Sequence, residues 1–187
     1  MNIIEILDNI YPLPKASKNK MIEAIIEEEH PKGYYLFSAD KVERDIYFIK
    51  QGIVRAYTDL PDNEVTFWFG REGDAVVSMR SYVYNQVGYE NVELLEDCIL
   101  YKLQLPFLNE LFAKDIYLAN WGRKFAEQEL LKTEERLIAR QIKTASERYK
   151  ELMKETPELL QRVQLSHIAS YLGITQVSLS RIRGKLR

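Results

Sequence analysis

Apolar residues recur at helical spacing over the first ten positions, with Ile3, Ile4, Leu7 and Ile10 in phase, until Tyr11-Pro12-Leu13-Pro14 stops the pattern. A second short helix is predicted next, capped by Ser17, with Met21, Ile22, Ile25 and Ile26 on one face and its break at His30-Pro31. From Lys32 to Gln104 the period changes to short β-rich runs bounded by turn residues: 34–37, 45–51, 53–57, 65–69, 75–78, 91–95 and 98–103. Lys50-Gln51-Gly52 has the form of a tight hairpin, with Gly52 supplying positive φ, and Pro61-Asp62-Asn63 and Gly73-Asp74 mark further turns. Strands this short and evenly spaced predict a jelly roll or barrel rather than a βαβ sheet.

At Leu105-Pro106 the pattern turns helical and stays so. A long helix is predicted from about Asp115 to Lys143, with Leu118, Trp121, Phe125, Leu131 and Ile138 near heptad spacing. At roughly 28 residues such a helix is about 42 Å long, more than one small β domain covers. Its apolar stripe is therefore read as the seam of a homodimer. Periodicity alone equally allows it to lie on its own roll. Thr144-Ala145-Ser146-Glu147 is a capping box that opens the next helix and marks a boundary.

Composition narrows the class. Of 187 residues 46% are hydrophobic and 29% charged, a globular balance. No apolar run reaches the roughly 18 residues of a membrane span, and the start has no basic signal-peptide region, so a cytoplasmic protein is expected. A single cysteine, Cys98, and two distant histidines, His30 and His167, argue against disulfides, metal centres and bound cofactors. The net charge of −2 conceals an asymmetry. Residues 1–143 carry 18 basic and 24 acidic groups, whereas residues 144–187 carry 8 basic and 4 acidic ones. From Arg162 onward there is no Asp or Glu at all. A basic end on an acidic body fits a localised polyanion contact such as nucleic acid, and fits a solvated tail equally well on charge alone.

The stretch 165–183 carries the more specific signal. Ser166 can cap a short helix bearing Ile168, Ala169 and Leu172; Gly173 stands where a left-handed residue turns the chain; Thr175 can cap a second helix with Leu179 and Ile182 inward. This is a helix-turn-helix pattern, whose second helix enters the major groove, although short helical hairpins also occur in ordinary bundles. Gln176, Val177, Ser180 and Arg181 are left pointing outward: Gln suits adenine, Arg suits guanine, and Val suits a thymine methyl. Thr175, Ser178, Arg183 and Lys185 suit phosphate contacts.

A roll with glycine-marked turns, a long helix, and then Ile168-Ala169-Ser170-Tyr171-Leu172-Gly173-Ile174-Thr175 with Leu179-Ser180-Arg181-Ile182 resembles the Crp/Fnr family. These are transcription regulators related to the cyclic-AMP receptor protein. The resemblance covers almost the whole chain, including Tyr47-Phe48-Ile49-Lys50-Gln51-Gly52-Ile53-Val54-Arg55. It implies an α+β fold: an N-terminal double-stranded β-helix, a jelly roll like the cyclic-nucleotide-binding domains, over residues 1–114; a dimerisation helix over 115–143; and a C-terminal helix-turn-helix domain over 144–187. It also implies double-stranded DNA, a second copy and RNA polymerase as partners, with no enzymatic activity.

Departures from that pattern bear on the effector. Nucleotide-binding members carry a Gly-Glu pair, a short helix, and an Arg-Ser or Arg-Thr pair. Gly73-Asp74 resembles the first, with Asp74 for Glu, while counting back from Glu96-Asp97-Cys98 puts Gly88-Tyr89 at the second. A cyclic phosphate would lose its charge-assisted partner, so cyclic AMP is not expected to bind. Arg80-Ser81 has the right letters inside the intervening segment, where Arg80 is read as a surface side chain. Trp68, Asp74, Arg80, Tyr82 and Tyr89 are the candidate lining of a pocket for an unknown small-molecule effector, against simple packing of the roll. Many members add a β-hairpin wing after the second helix; here the sequence ends at Arg187, and fewer phosphate contacts are expected. Two rival functions remain: a metal-dependent jelly-roll enzyme, which lacks the histidines it needs, and a ligand sensor whose helix-turn-helix no longer binds DNA.

Overall fold

The computed structural model describes residues 1–186. Helix α1 (Ile3–Ile10) is closed by a capping box in which Asn2 and Glu5 each accept the other's backbone amide. Helix α2 (Lys15–Ile22) starts directly after Pro14 rather than at Ser17. Ser17 lies inside it and donates to the Asp115 carboxylate at 2.9 Å, so its hydroxyl serves tertiary structure instead of the helix end. The predicted continuation to Ile26 is wrong. Ile26–His30 forms strand β1, because Glu27 and Glu28 find Lys50 and Lys102 across the sheet and tertiary ion pairs override their poor strand propensity.

Eight strands build two antiparallel four-stranded sheets. One runs β1, β8 (Cys98–Gln104), β3 (Asp45–Gln51), β6 (Ala75–Val76). The other runs β2 (Tyr35–Phe37), β7 (Asn91–Leu94), β4 (Val54–Asp59), β5 (Glu64–Gly70). The jelly-roll expectation is met. Side-chain alternation explains why β3 is buried on both faces: Tyr47 and Ile49 point into the roll, while Ile46 and Phe48 join a second core beneath the helices. Between β3 and β4, Gly52 takes φ +114°, and a Cβ there would lie 2.3 Å from the Cys98 sulfur, so both the turn and the packing require glycine. Burial pushes the Cys98 thiol up to about 12, which makes it a packed, unreactive side chain.

Helix α3 (Met79–Tyr84) interrupts the roll, and α4 (Leu105–Lys114) leads out of it. Asp115 then caps α5 (Ile116–Ile142) by accepting the Tyr117 amide. The first half of α5 lies on its own chain. Trp121 is 0% exposed, donates its indole N–H to the Leu7 carbonyl at 2.9 Å and stacks on Phe125, while Leu118 is fully buried beside it. Leu118 and Trp121, expected in a seam, are therefore buried in the chain's own core, and the partly buried Phe125 packs against it, because α1 and α4 reach this far along the helix. Beyond Gln128 the helix leaves that core, and Leu130, Leu131, Leu137, Ile138 and Ile142 are exposed.

The expected Thr144–Glu147 capping box opens α6 (Ala145–Glu155). A short turn of helix, α7 (Leu159–Arg162), precedes α8 (Leu165–Tyr171) and α9 (Gln176–Lys185). Ser166 does not cap α8: Gln164 holds the cap position and makes no side-chain bond there. No helix of the described residues is long and apolar enough to cross a membrane.

Candidate nucleic-acid interface

The α8–α9 hairpin turns at Gly173, whose φ of +68° is the left-handed value the sequence pattern anticipated. The Ile174 amide donates back to the Ala169 carbonyl at 3.0 Å, and Ala169 is small enough to let the two helices cross closely. Thr175 caps α9 by accepting the Ser178 amide. Its hydroxyl and that of Ser178 lie 3.0 Å apart, so these two groups hold the helix start as well as facing outward. Leu179 is fully buried and fixes the helix rotation. That rotation leaves Gln176, Val177, Ser180 and Arg181 exposed on one contiguous face, with Lys185 exposed and Arg183 half-buried at the basic end. The whole predicted set thus lies on one helix and its N-cap, and the apolar side of that helix faces inward.

A second set of residues, which the sequence did not reveal, fastens this hairpin to the roll. Ser170 accepts the Thr66 amide at 2.9 Å and donates to the Glu64 carbonyl at 3.0 Å, closing part of the open edge of β5. Phe69 and Tyr171 pack with their rings tilted and their centroids 5.1 Å apart, and Ile53 from the roll joins the core of α6 to α9. Arg162 bridges Glu72, at 2.8 Å, and Glu96. Burial alone would raise the Glu72 carboxyl, but Arg162 and the Gly52 amide outweigh it and hold the group at about 2. Arg71 pairs with Glu158. In sequence these are scattered charges with no period, and only the fold brings them together.

His167, on α8, sits over a buried cluster. Arg55 is 1% exposed; it bonds Thr66 and Glu93, pairs with Glu64, and lies 4.2 Å from the Tyr57 ring. The His167 Nδ1 is buried without a hydrogen-bond partner, 3.6 Å from Glu64. Burial, then Arg55, lowers its pKa below the ordinary 6.5, against the opposing pull of Glu93 and Glu64. A depressed histidine favours the neutral, docked form, so its contribution is complete above 6.5 and declines as the pH falls toward the docked value. Between pH 7.5 and 5.5 the wild type is expected to lose more thermal stability than His167→Gln. Parallel melting curves for the two proteins would contradict this.

The five pocket candidates do not converge. Trp68 and Asp74 line a cleft beside α5, whereas Arg80 and Tyr89 are exposed and Tyr82 bonds Asn109 on α4. Arg80 reaches only Gln86, which is the surface role the sequence suggested. Gly73-Asp74 is also not the pair ahead of the short helix. It forms a turn in which Asp74 accepts the Arg71 amide at 3.0 Å; β6 then intervenes, and Val77-Ser78 lead into α3. At the other end a Cβ on Gly88 would meet Ser78 Oγ at 2.9 Å and Glu90 Oε1 at 3.0 Å, and Glu90 is 7% exposed. An anionic phosphate brought here would face an acidic side chain instead of an arginine. Calorimetry with cyclic AMP is accordingly expected to show no binding at physiological concentration, and micromolar affinity would refute that. His30 stacks on Tyr34 at 4.2 Å and lies 3.2 Å from Glu28, a packing role.

Residues 27–115 match the cyclic nucleotide-binding domain family. The fold is similar to that of FixK2 from Bradyrhizobium japonicum, with a TM-score of 0.72 and 21% identity over 87% of this chain and 84% of that one. It is also similar to CLP of Xanthomonas campestris, described as a c-di-GMP-responsive global regulator, with a TM-score of 0.72 and 16% identity over 92% and 91% of the two chains. A protein of Eubacterium rectale assigned to the Crp/Fnr family of transcriptional regulators gives 0.73 with 16% identity over 93% and 85%. At such identities the likeness is one of fold. A stretch of 65 residues, 35% of this chain, is 34% identical to the phenylalanine–tRNA ligase beta subunit of Mus musculus, and covers only 11% of that relative's length.

Proposed function

We propose that the protein is a sequence-specific, double-stranded-DNA-binding transcription regulator of the Crp/Fnr type, acting as a homodimer on a palindromic promoter site. The observation that carries this is α9: Leu179 is locked into the core, and Gln176, Val177, Ser180 and Arg181 form an exposed face on a segment without acidic residues. Such a face offers donors and a methyl group to base edges with nothing to repel phosphate. Two of the similar structures, from Xanthomonas campestris and Eubacterium rectale, are described as regulators, which supports a regulatory role.

In this reading residues 1–114 form the sensor roll, 115–143 the dimer helix and 144–187 the DNA-binding domain. RNA polymerase is then the partner through which a bound dimer acts, and the cytoplasm is the fitting location. No effector is assigned in this reading, and cyclic AMP is not expected to be one. The test is selection of bound fragments from a random duplex library, followed by titration on the enriched sequence. A palindromic motif is expected. Failure to retain any duplex at low salt would favour a sensor whose hairpin has become a protein-binding surface.

A further inference from the structure

Glu90 is 7% exposed, yet among the described residues no lysine or arginine pairs with it. It lies in the loop between α3 and β7 and accepts the Tyr89 amide at 3.0 Å. The rest of that loop is also bonded from within. Ser78 donates to the Ser81 hydroxyl at 3.1 Å, Ser81 donates to the Gln86 carbonyl at 2.9 Å, and the Glu43 amide donates to Ser81 at 3.2 Å. The Gly88 amide donates to the Lys41 carbonyl at 3.3 Å. A Cβ on Gly88 would lie 3.0 Å from Glu90 Oε1, so this glycine lets the carboxylate fold back against its own loop.

A carboxylate taken out of water with a single backbone donor is costly, and an apolar side chain would avoid that penalty. What the charge supplies is a strong acceptor for the Tyr89 amide, and an anion arriving at this loop would find the Gly88 and Tyr89 amides already used. Two routes lead from here to α8. Tyr89 packs on Phe67 of β5 with ring centroids 6.1 Å apart, and the adjacent Thr66 amide is the donor that Ser170 accepts at 2.9 Å. Glu90 also directly precedes β7, whose Glu93 pairs with Arg55, and Arg55 in turn bonds the Thr66 hydroxyl at 2.8 Å. We propose that Glu90 is a built-in anion that holds this loop, β5 and α8 in one arrangement, so that α9 is aimed without a bound effector. Only the last clause rests on the regulator reading above.

The lock is tested by amide exchange on the full chain. In Glu90→Ala the exchange of Thr66 is expected to rise about tenfold or more, while amides in α1 keep the wild-type rate. Acetate, which matches the atoms removed, should reverse the change, and chloride at equal ionic strength should not. Tyr89→Ala keeps the carboxylate and removes the ring from an exposed position, so it tests the second link even if Glu90→Ala does not fold. Its Thr66 exchange should also rise, with no response to acetate. Unchanged Thr66 exchange in either variant, or a change in Glu90→Ala that acetate leaves in place or chloride also reverses, overturns the proposal.

DNA binding is read separately. Wild type shown by native mass spectrometry to carry no small molecule should bind the selected duplex, and Glu90→Ala should bind it about tenfold more weakly. Equal affinity of the two proteins, or binding by wild type only after a metabolite extract is added, overturns the proposal. A wild type that retains no duplex in either condition, with Thr66 still responding to Glu90, removes the regulator reading and leaves the lock standing.

Discussion

Leu131→Glu and Ile138→Glu are each expected to convert a dimer into a monomer. The two residues are 54% and 47% exposed in the isolated chain and lie one heptad apart. Leu130, Leu137 and Ile142 flank them, so the distal half of α5 carries an exposed apolar stripe. Two copies crossing along this stripe would bury each residue twice through the symmetry axis. A glutamate in such a seam brings two unpaired charges out of water at a cost of several kcal/mol, or about a thousandfold in association. Sedimentation equilibrium reads the result directly. Trp121→Ala is the contrasting variant: it removes a fully buried ring within one protomer and is expected to cost about 3–5 kcal/mol of folding stability. If both glutamate variants keep the mass of the wild-type dimer, the seam is elsewhere.

This contrast also marks the limit of what periodicity reveals. Leu118, Trp121, Leu131 and Ile138 share one spacing, and nothing local tells a residue facing α1 from one facing a second copy. The distinction depends on where α1, α2 and α4 end, which is a tertiary fact. The strands were legible because turn residues punctuate them, and Gly52 and Gly173 were legible because each needs a backbone angle that other residues resist. Strand β1 was not. Its Glu-Glu-Glu run has the composition of a helix, and the lysines it pairs with are brought in from β3 and β8. In the candidate interface the outward face of α9 followed from helical geometry alone. Its fastening to the roll through Arg162, Ser170 and His167 did not, since their partners lie 66 to 106 residues away in sequence. The pocket residues failed for a related reason: β6 separates Asp74 from Tyr82, which lies in α3, and Tyr89 follows that helix, so residues near one another in sequence face different spaces.

Gln176→Ala and Arg181→Ala are expected to cost roughly 1–3 kcal/mol on the selected duplex and much less on scrambled DNA. Both side chains are exposed in the first two turns of α9, the part of a recognition helix that meets base edges in the major groove. Arg183 and Lys185 lie in the last turn, where a cation also complements the helix dipole and is near the phosphate backbone. Arg183→Ala or Lys185→Ala should therefore weaken both duplexes alike, and each should reduce the slope of affinity against salt by about one. Leu179→Ala, at the buried pivot, should lose affinity together with thermal stability, which separates misplacement of the helix from loss of a contact. Two such helices related by the seam on α5 must reach successive turns of one groove, so the half-sites should be about 34 Å apart. The measurement is a titration of wild type and the substituted proteins on both duplexes at two salt concentrations. Equal losses on both duplexes for Gln176→Ala and Arg181→Ala would reduce α9 to a non-specific basic patch, and the regulator reading would not survive that result.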